Sequence, residues 1–257
     1  MAYSTRRKDI VRIVQLLRRV SVQELTQRLN VSEATVRKDL AFLEDEAILF
    51  RTHGGAALAE ENRNMHNVRN RENTYLEEKR AIAQRARALV SEGETIFLDS
   101  GSTCAVIAAE IKDMSLRVIA HSVGVINELI NADDGLALYS LGGSYRPGSG
   151  SFIGPLAQEN LQRFRIETCF VGTAGFSTDG TFYAQNLIEA ELKTEALRLS
   201  TRRVIVADYS KMSRTEFAVF ARPRDFDILI LGGHVNDQQR GELSRLDVEI
   251  LFAGLDE

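Results

Sequence analysis

Apolar residues recur at helical spacing through the N-terminal part of the chain, and this pattern predicts short helices. The apolar face of the first helix, over residues 5–20, carries Ile10, Ile13, Val14 and Leu17. Ser21 and Glu24 then have the spacing of a capping box, which predicts a second helix that ends near Asn30.

A third helix is predicted to begin at Ser32, a good N-cap residue, with Val31 and Val36 at the positions of a hydrophobic staple. Its inward stripe is Val36, Leu40, Leu43 and Ala47, and its opposite face carries Ala34, Arg37, Lys38 and Ala41. Small residues beside cations suit a helix that lies in the major groove of DNA, because bulky side chains would keep it out. The cations would reach phosphates or guanine edges.

Two short helices joined by a tight turn, the second with a basic face, predict a helix-turn-helix. An extended piece from Ile48 and the turn residues Gly54-Gly55 then predict a short wing. Arg51, Thr52 and His53 lie where such a wing meets the DNA backbone or minor groove. The helix cations are also compatible with a solvated face, and His53 with an ordinary exposed loop.

From residue 60 onward, the pattern of apolar and polar residues along the chain is different. Residues 60–73 are polar and predict a linker, and Thr74 with Glu77 predicts the capped start of another helix. After Gly93, β-rich runs alternate with helical ones, which predicts an α/β domain with a largely parallel sheet. The β-rich runs are Thr95–Leu98, Leu116–Ala120, Leu136–Leu141, Thr168–Val171, Val204–Ala207, Phe217–Phe220, Ile228–Leu231 and Val248–Phe252. The helical runs are Thr103–Ile111, Val123–Asn131, Leu156–Phe164, Asn186–Leu199 and Asp237–Leu246.

Composition narrows the class of protein. The chain has 257 residues, of which 44% are hydrophobic, enough for a sizeable core. No apolar run reaches the length of a membrane span and the polar N-terminus is unlike a signal peptide, so we expect a cytoplasmic protein without a membrane partner. Cys104 and Cys169 have no metal-site spacing and are expected to be buried free thiols. Neither a metal nor a cofactor is expected.

Charge is unevenly distributed along the chain. The net charge of −4 argues weakly against a nucleic-acid partner. Residues 1–58, however, hold ten Lys and Arg against seven Asp and Glu, while the rest holds 22 against 29. The basic excess therefore coincides with the predicted helix-turn-helix and supports DNA binding.

A strand, a small hydroxyl-rich turn and a helix follow one another at Asp99, Ser100, Gly101, Ser102 and Thr103. Gly101 lets backbone amides converge, the hydroxyls add donors, and the helix presents its positive N-terminus. These features predict an anion site, most naturally for a phosphate. The turn lacks the spacing and lysine of a Walker loop, which disfavours a nucleoside triphosphate. An ordinary helix cap is an equally good interpretation.

Other polar turns are expected at the same carboxyl edge of the sheet, where open α/β domains bind ligands. They contribute Gly143, Arg146, Gly172, Gly175, Asp208 and Lys211. Together they suit a polyol with one phosphate, and the alternative is surface charge on loops. Glu189 and Lys193 share a helix face four residues apart, so they could simply pair with each other.

Several longer motifs carry a family resemblance. They are SVQELTQRLNVSEATVRKDLAFLEDEAILFRTHGGA, TIFLDSGST, LGGSYRPGSGSFIGPLA, FVGTAGFSTDGTF, EAELKTEAL and VADYSKM. In their identity, order and spacing the chain resembles, over nearly its full length, the DeoR family of bacterial sugar-metabolism regulators.

The resemblance implies a winged helix-turn-helix over residues 1–58, a linker over 59–73 and an effector-binding and oligomerisation domain over 74–257. That last domain would be a largely parallel α/β fold similar to ribose-phosphate isomerase. The protein would be a homodimer or homotetramer that binds operator DNA, usually as a repressor. It would respond to a phosphorylated sugar or polyol, whose phosphate the DSGST-like turn would take.

Two sets of residues follow from the motifs and the resemblance together. The predicted DNA contacts are Ser21, Ser32, Glu33, Ala34, Thr35, Arg37, Lys38, Arg51, Thr52 and His53. The predicted effector contacts are Asp99, Ser100, Gly101, Ser102, Thr103, Gly143, Arg146, Gly172, Gly175, Lys193, Asp208 and Lys211. A carboxylate repels a phosphate, so Asp99 is expected to accept hydrogen bonds from sugar hydroxyls, or else to cap the following helix.

Two other functions remain open from sequence. One is a sugar-phosphate isomerase that carries a DNA-binding module, since carboxylates for proton transfer are present. Against it, no clean paired-acid motif occurs, and a winged module serves no catalytic purpose. The other is a DNA-binding protein controlled only by a partner protein. We expect a regulator and not an enzyme.

Overall fold

The computed structural model describes residues 5–17, 19–45, 49–52, 54–58 and 75–254. The chain divides into two compact units, Met1–Arg69 and Asn70–Glu257. The predicted linker over 59–73 lies outside the described residues. No helix in the described ranges is both long and apolar enough to cross a bilayer.

The N-terminal unit packs helices on a small antiparallel sheet. Its elements are α1 (Thr5–Leu17), β1 (Arg19–Ser21), α2 (Val22–Leu29), α3 (Glu33–Asp45), β2 (Leu49–Thr52) and β3 (Gly55–Leu58). The strands lie in the order β1-β3-β2. The first helix is therefore shorter than the predicted 5–20, because Val20 pairs with Ala56 in the sheet instead of continuing the helix. Val36, Leu40 and Leu43 of the predicted stripe are at most 1% exposed, while its fourth member, Ala47, lies outside the described residues.

The C-terminal unit is larger. Its helices are α4 (Leu76–Ala88), α5 (Ser102–Ile111), α6 (Val123–Leu129), α7 (Pro155–Leu161), α8 (Leu187–Leu199) and α9 (Asp237–Leu243). Its strands are β4 (Thr95–Leu98), β5 (Arg117–Ala120), β6 (Ala137–Ser140), β7 (Ser144–Arg146), β8 (Ser151–Ile153), β9 (Ile166–Gly172), β10 (Gly175–Phe176), β11 (Phe182–Ala184), β12 (Ser200–Asp208), β13 (Ala218–Ala221), β14 (Ile228–Gly232) and β15 (Glu249–Ala253).

In the described part of this unit, seven strands form one sheet in the order β15-β14-β12-β9-β4-β5-β6. Every neighbouring pair is parallel, which confirms the predicted α/β class. Both faces are covered, because Phe97 of β4 lies in one core and its neighbours Ile96 and Leu98 lie in the other. Strand order reverses between β4 and β9, so their carboxyl ends flank a topological switch point.

Two sequence predictions about this unit need correction, and one hairpin was missed. The run Phe217–Phe220 lies outside the parallel sheet, because β13 pairs in a small antiparallel sheet with the order β10-β11-β13. The β7–β8 hairpin was not predicted as strands, since each is only three residues long. Helix α4 has Tyr75 and not Thr74 at its N-cap, in the left-handed conformation with φ 58° and no side-chain cap bond.

Candidate functional site

Helix α3, the predicted recognition helix, starts as its sequence predicts. The hydroxyl of Ser32 accepts a hydrogen bond from the backbone N–H of Thr35 at 3.3 Å and lies 2.9 Å from its hydroxyl. Val36 is fully buried, and Val31 packs against the same core. Hydroxyl cap and apolar staple together hold the entry angle of the helix.

The outer face of α3 is open. Glu33, Ala34, Arg37 and Lys38 are exposed. Arg37 pairs with Glu33 at 3.3 Å, with both side chains about half exposed, at 52% and 50%. A surface pair of this kind is worth about 0.3–0.5 kcal/mol, so a phosphate or base edge can displace it. The face can therefore meet DNA without rearranging the helix.

An ion-pair cluster that the sequence did not reveal fixes the inner side of α3. Asp39 is 2% exposed and accepts hydrogen bonds from Arg6 Nε at 2.5 Å and Arg7 Nε at 2.9 Å. Burial alone would raise the pKa of Asp39, but the hydrogen bonds and charges of the two arginines hold it below its usual value. Arg7 also stacks on the Phe42 ring at 3.6 Å. Arg6 and Arg7 thus connect α1 to α3. The sequence signal for this cluster is Asp39, an acid next to Leu40 on the buried face of the helix.

The turn before α2 and the wing are closely connected. Ser21 caps α2, with its hydroxyl 3.1 Å from Glu24 N and its own N–H 3.2 Å from the Glu24 carboxylate. Gly54 has φ +93°, and a Cβ at Gly55 would lie 2.1 Å from the carbonyl oxygen of Val20. Both glycines are therefore required by the backbone. Arg51 and Thr52 end β2 beside this turn, and His53 lies outside the described residues.

In the C-terminal unit, Asp99 follows β4 at the switch point and is 1% exposed. One carboxylate oxygen, Oδ2, accepts hydrogen bonds from Gly172 N at 2.9 Å and from the Lys193 ammonium. The other, Oδ1, lies 2.9 Å from His121 Nε2. Burial would raise the pKa of Asp99, but the charge of Lys193 and the His121 contact lower it to about 2. Asp99 is therefore an ionised group that holds two other side chains in place.

These contacts of Asp99 also bear on the two roles that the sequence predicted for it, accepting hydrogen bonds from sugar hydroxyls or capping the following helix. Helix α5 has Gly101 at its N-cap and no side-chain cap bond, so the alternative that Asp99 caps this helix is wrong. Its oxygens already contact protein groups and have almost no exposed surface for a sugar hydroxyl in this structure.

His121 was missed by sequence reasoning, although it directly follows β5, where polar residues of parallel strands gather. Its Nδ1 lies 2.9 Å from the carbonyl oxygen of Phe152, and the ring stacks on Phe97 with centroids 5.8 Å apart. A carbonyl oxygen can only accept, so Nδ1 is the donor in the contact with Phe152. His121 thus links the strand ends to the β7–β8 hairpin.

The hydroxyl-rich turn is more open than Asp99. Gly101 is exposed with φ +112°, and Ser100, Ser102 and Thr103 are partly exposed. A Cβ at Gly172 would lie 3.2 Å from Ser100 O, so the ends of β4 and β9 approach closely. An uncapped helix N-terminus with three hydroxyls at a switch point can hold an anion.

Helix α8 brings two more charged groups to this region. Lys193 is 6% exposed and also donates to Gly172 O at 2.9 Å. Glu189, one turn earlier, lies with its Oε1 atom 3.0 Å from Arg146 Nε. The interpretation that Glu189 and Lys193 simply pair is therefore wrong, because each meets a charge from elsewhere in the chain. Nearby, Gly143 has φ +113° and a Cβ there would lie 2.8 Å from Ile153 O.

The remaining predicted effector residues have contacts elsewhere. Gly175 begins β10, and a Cβ there would lie 2.5 Å from Arg214 O, so packing requires this glycine. Asp208, 2% exposed, accepts from Ser210 N at 3.1 Å. Lys211 is partly exposed in a 3₁₀ turn after β12. These three lie at other strand ends and turns than the Asp99 cluster.

Cys104 and Cys169 are buried free thiols, as predicted. Burial raises the pKa of both thiols, that of Cys169 to about 11. Their role is packing, since only a thiolate is reactive. No group of three or more potential metal ligands occurs among the side chains that the structure describes.

A winged helix-turn-helix unit and a parallel α/β unit with a polar switch-point site define the class of transcriptional regulators with a separate sensor domain. The comparison with known families specifies which one. Residues 6–62 match the DeoR-like helix-turn-helix domain and residues 74–233 match the DeoR C-terminal sensor domain. The chain belongs to the DeoR family.

Individual relatives agree with this assignment. The chain is 34% identical to the uncharacterized regulator YulB of Bacillus subtilis, over 90% of this chain and 89% of that protein. It is 31% identical to the transcriptional regulator GlpR of Haloferax volcanii, over 98% of each chain. It is 30% identical to the glycerol-3-phosphate regulon repressor of Escherichia coli, over 83% of this chain and 84% of that one. All three are regulators, so the chain is a DNA-binding transcriptional regulator and the enzyme interpretation is not favoured.

Among solved structures, ribose 5-phosphate isomerase A from Neisseria gonorrhoeae is similar over 52% of each chain, at 17% identity and a TM-score of 0.39. Similarity at this level concerns only part of the fold and says nothing about activity.

Proposed function

We propose that this protein is a repressor of a sugar or polyol utilisation operon, and that a phosphorylated sugar controls its binding to operator DNA. The observation that carries the proposal is the switch-point site: an open hydroxyl turn at the N-terminus of α5, beside the buried Asp99–Lys193 pair. The names of two relatives agree with it, namely a glycerol-3-phosphate regulon repressor and a lactose phosphotransferase system repressor.

In this proposal the ligand phosphate binds the backbone amides and hydroxyls of Ser100 to Thr103. Asp99 contributes indirectly, because its contacts hold the side chains of Lys193 and His121 in position. Gly172 leaves room for the close approach of β9 to the turn. Arg146 supplies a partly exposed cation at the far side of the site.

DNA binding is assigned to the outer face of α3 and to the wing, within residues 1–58. We place the ligand response in residues 74–257, the connection in 59–73, and a homodimer or homotetramer as the active form. Helix-turn-helix dimers bind paired half-sites, which makes an oligomer the natural form for operator recognition.

Helix α4 is the element that we propose to carry the response onward, because it directly follows the connecting segment. Its first turn lies at the carboxyl ends of β12 and β14: a Cβ at Gly233 would be 2.7 Å from Glu78 Oε2 and 2.8 Å from Tyr209 Cβ. Burial, together with the charge of Asp208, raises the pKa of Glu78. A ligand that shifts these strand ends would therefore displace the start of α4, provided it binds one arrangement better than the other.

The test is a titration of the protein–operator complex with sugar and polyol phosphates. An operator duplex is first selected from a random pool, and its complex is then followed by fluorescence anisotropy. At least one of glycerol 3-phosphate, ribose 5-phosphate, fructose 1-phosphate or glucose 6-phosphate should release the DNA, while the corresponding unphosphorylated compounds should not.

Two results would contradict the proposal. Release by none of these phosphates, together with no thermal stabilisation, would favour control by a partner protein. Turnover of a pentose or hexose phosphate at enzymatic rates would favour the isomerase alternative.

A further inference from the structure

Buried polar atoms without a hydrogen-bond partner are uncommon in folded proteins, and each one calls for a physical reason. Among the described side chains five such atoms occur, on Thr26, Glu78, Arg146, Asn186 and Glu189. The last three lie together at the start of α8, the helix that carries Lys193 into the switch-point site.

Their geometry shows one connected group. Arg146 Nε lies 3.0 Å from Glu189 Oε1, close enough for an ion pair, yet neither atom makes a hydrogen bond. Asn186 caps α8 by accepting from Glu189 N at 3.0 Å through its Oδ1, which leaves its Nδ2 as a buried donor without a partner. Glu189 as a residue is 7% exposed, so the carboxylate oxygen that faces Arg146 without a hydrogen bond is deeply buried.

The chemistry of these atoms limits what can satisfy them. Two are donors, on Arg146 and Asn186, and the third is a carboxylate acceptor on Glu189. A hydroxyl group both donates and accepts, so one hydroxyl can bond Glu189 Oε1 and Arg146 Nε together, and a second can accept from Asn186 Nδ2. A phosphate is disfavoured relative to a hydroxyl, because the Glu189 carboxylate would repel it and cannot donate to it.

The position of the group decides which part of a ligand it meets. Glu189 precedes Lys193 by one helical turn, and Lys193 contacts Asp99, the residue immediately before the hydroxyl turn. A ligand whose phosphate lies on Ser100 to Thr103 would therefore extend its other end toward α8. Access involves the Arg146 side chain, which is 37% exposed and belongs to the small β7–β8 hairpin, outside the main sheet.

We propose that Arg146, Asn186 and Glu189 form a hydroxyl-reading subsite that recognises the end of the effector distal to its phosphate. The subsite rests on the proposed function. It specifies a ligand with free hydroxyls at that end, and it disfavours alkyl phosphates and ligands with a second phosphate there.

The variants that test the subsite are Glu189→Gln, which removes the carboxylate, and Asn186→Asp, which keeps the cap acceptor but removes the Nδ2 donor. Glu191→Gln is the matched control, because Glu191 is an exposed carboxylate on the same helix that contacts Gln158 on the surface. Thermal unfolding of each variant shows first that it is folded.

Calorimetry then compares the tightest-binding of glycerol 3-phosphate, ribose 5-phosphate, fructose 1-phosphate and glucose 6-phosphate with inorganic phosphate. Both subsite variants should bind the sugar phosphate at least about tenfold more weakly, since a hydrogen bond to a charged group is lost or a buried partner is left unsatisfied. Inorganic phosphate should bind them no more weakly than the wild type, and Glu191→Gln should match the wild type for both ligands.

The outcomes separate the two levels of the proposal. If the wild type binds none of the four sugar phosphates, both the proposed function and the proposed subsite are wrong. If the wild type binds one of them and both subsite variants bind it equally well, only the subsite falls, and ordered water is then the partner of these atoms. Equal weakening of sugar phosphate and inorganic phosphate would also overturn it, because the effect would not be specific to hydroxyls.

Discussion

At the scale of single residues, Asp99 is the group on which the arrangement of the sensor site depends. It is fully buried, and it meets a lysine, a histidine and a backbone N–H from three other elements. A buried charge is tolerable only when its partners remain, and removal of one partner leaves the other charge uncompensated in a low-dielectric interior.

Replacement of Asp99 by Asn should therefore destabilise the C-terminal unit by about 3–5 kcal/mol, because Lys193 would stay buried without its counter-charge. Urea unfolding followed by circular dichroism measures this, since the chain has no tryptophan. Asp134→Asn, at an exposed aspartate, is the control and should change stability little. An equal, small effect of both variants would contradict the structural role of Asp99.

Asp99→Asn should also change how the stability of the protein depends on pH. The pKa of Asp99 is lowered from 3.8 to about 2, so the native state holds its proton less tightly than the unfolded chain. Its contribution to the free energy of unfolding is therefore present above pH about 4 and is lost as the pH falls through about 2. The variant should lack this part of the acid sensitivity.

At the scale of elements, the wing depends on the close approach of β3 to β1. Ser21 pairs with Gly55 in the sheet, while the carbonyl of Gly54 accepts a hydrogen bond from Val22 N at 2.7 Å. The start of α2 and the turn of the wing are thus one connected structure. Their relative position sets how the wing and the recognition helix can bind the duplex together.

Gly55→Ala should disrupt the pairing of β3 with β1. The new Cβ would be 2.1 Å from Val20 O, and the backbone cannot move far enough to relieve this clash. Operator affinity should fall, and the N-terminal unit should lose more than about 1–3 kcal/mol of stability, the usual cost of overpacking. Gly241→Ala in α9 is the matched control: nothing lies within 4 Å of its Cβ, so it should be neutral or slightly stabilising. Normal operator binding by Gly55→Ala would contradict the close approach.

At the scale of the whole molecule, DNA contact and ligand contact are assigned to two separate units with separate cores. Residues of the core that contains Val36 and Leu40 all come from the N-terminal unit, while the two cores of the sheet come from the C-terminal unit. Mutations in separate cores without shared partners generally act independently on stability. Binding to each unit can therefore be lost separately.

Two double variants test this separation. Arg37→Ala with Lys38→Ala should lower operator affinity at least about tenfold and reduce its salt dependence, while the thermal shift with sugar phosphate remains. Ser102→Ala with Thr103→Ala should bind operator normally and lose both the thermal shift and the release by ligand. If either variant lost both activities while folded, the assignment of the two sites to separate units would be wrong.

Local signals were sufficient for much of the fold. Seven of the predicted β-rich runs are the strands of the parallel sheet, and Ser21 and Ser32 cap their helices as expected. Caps, glycine turns and apolar periodicity act within a few residues, so the sequence displays them directly. The β7–β8 hairpin was missed because each of its strands has only three residues, too few to show an alternating pattern.

By itself, the sequence determined the two-part organisation, the helix-turn-helix with its basic face, the α/β class and the hydroxyl turn after β4. Only the tertiary structure decided the partners of the charged groups. Asp99 meets His121 across 22 residues and Lys193 across 94. It also showed that Arg6 and Arg7 bind Asp39, and that Glu189 meets Arg146 instead of Lys193. The reason is physical: a buried charge takes the nearest counter-charge in space, and chain topology, not sequence spacing, sets which one that is.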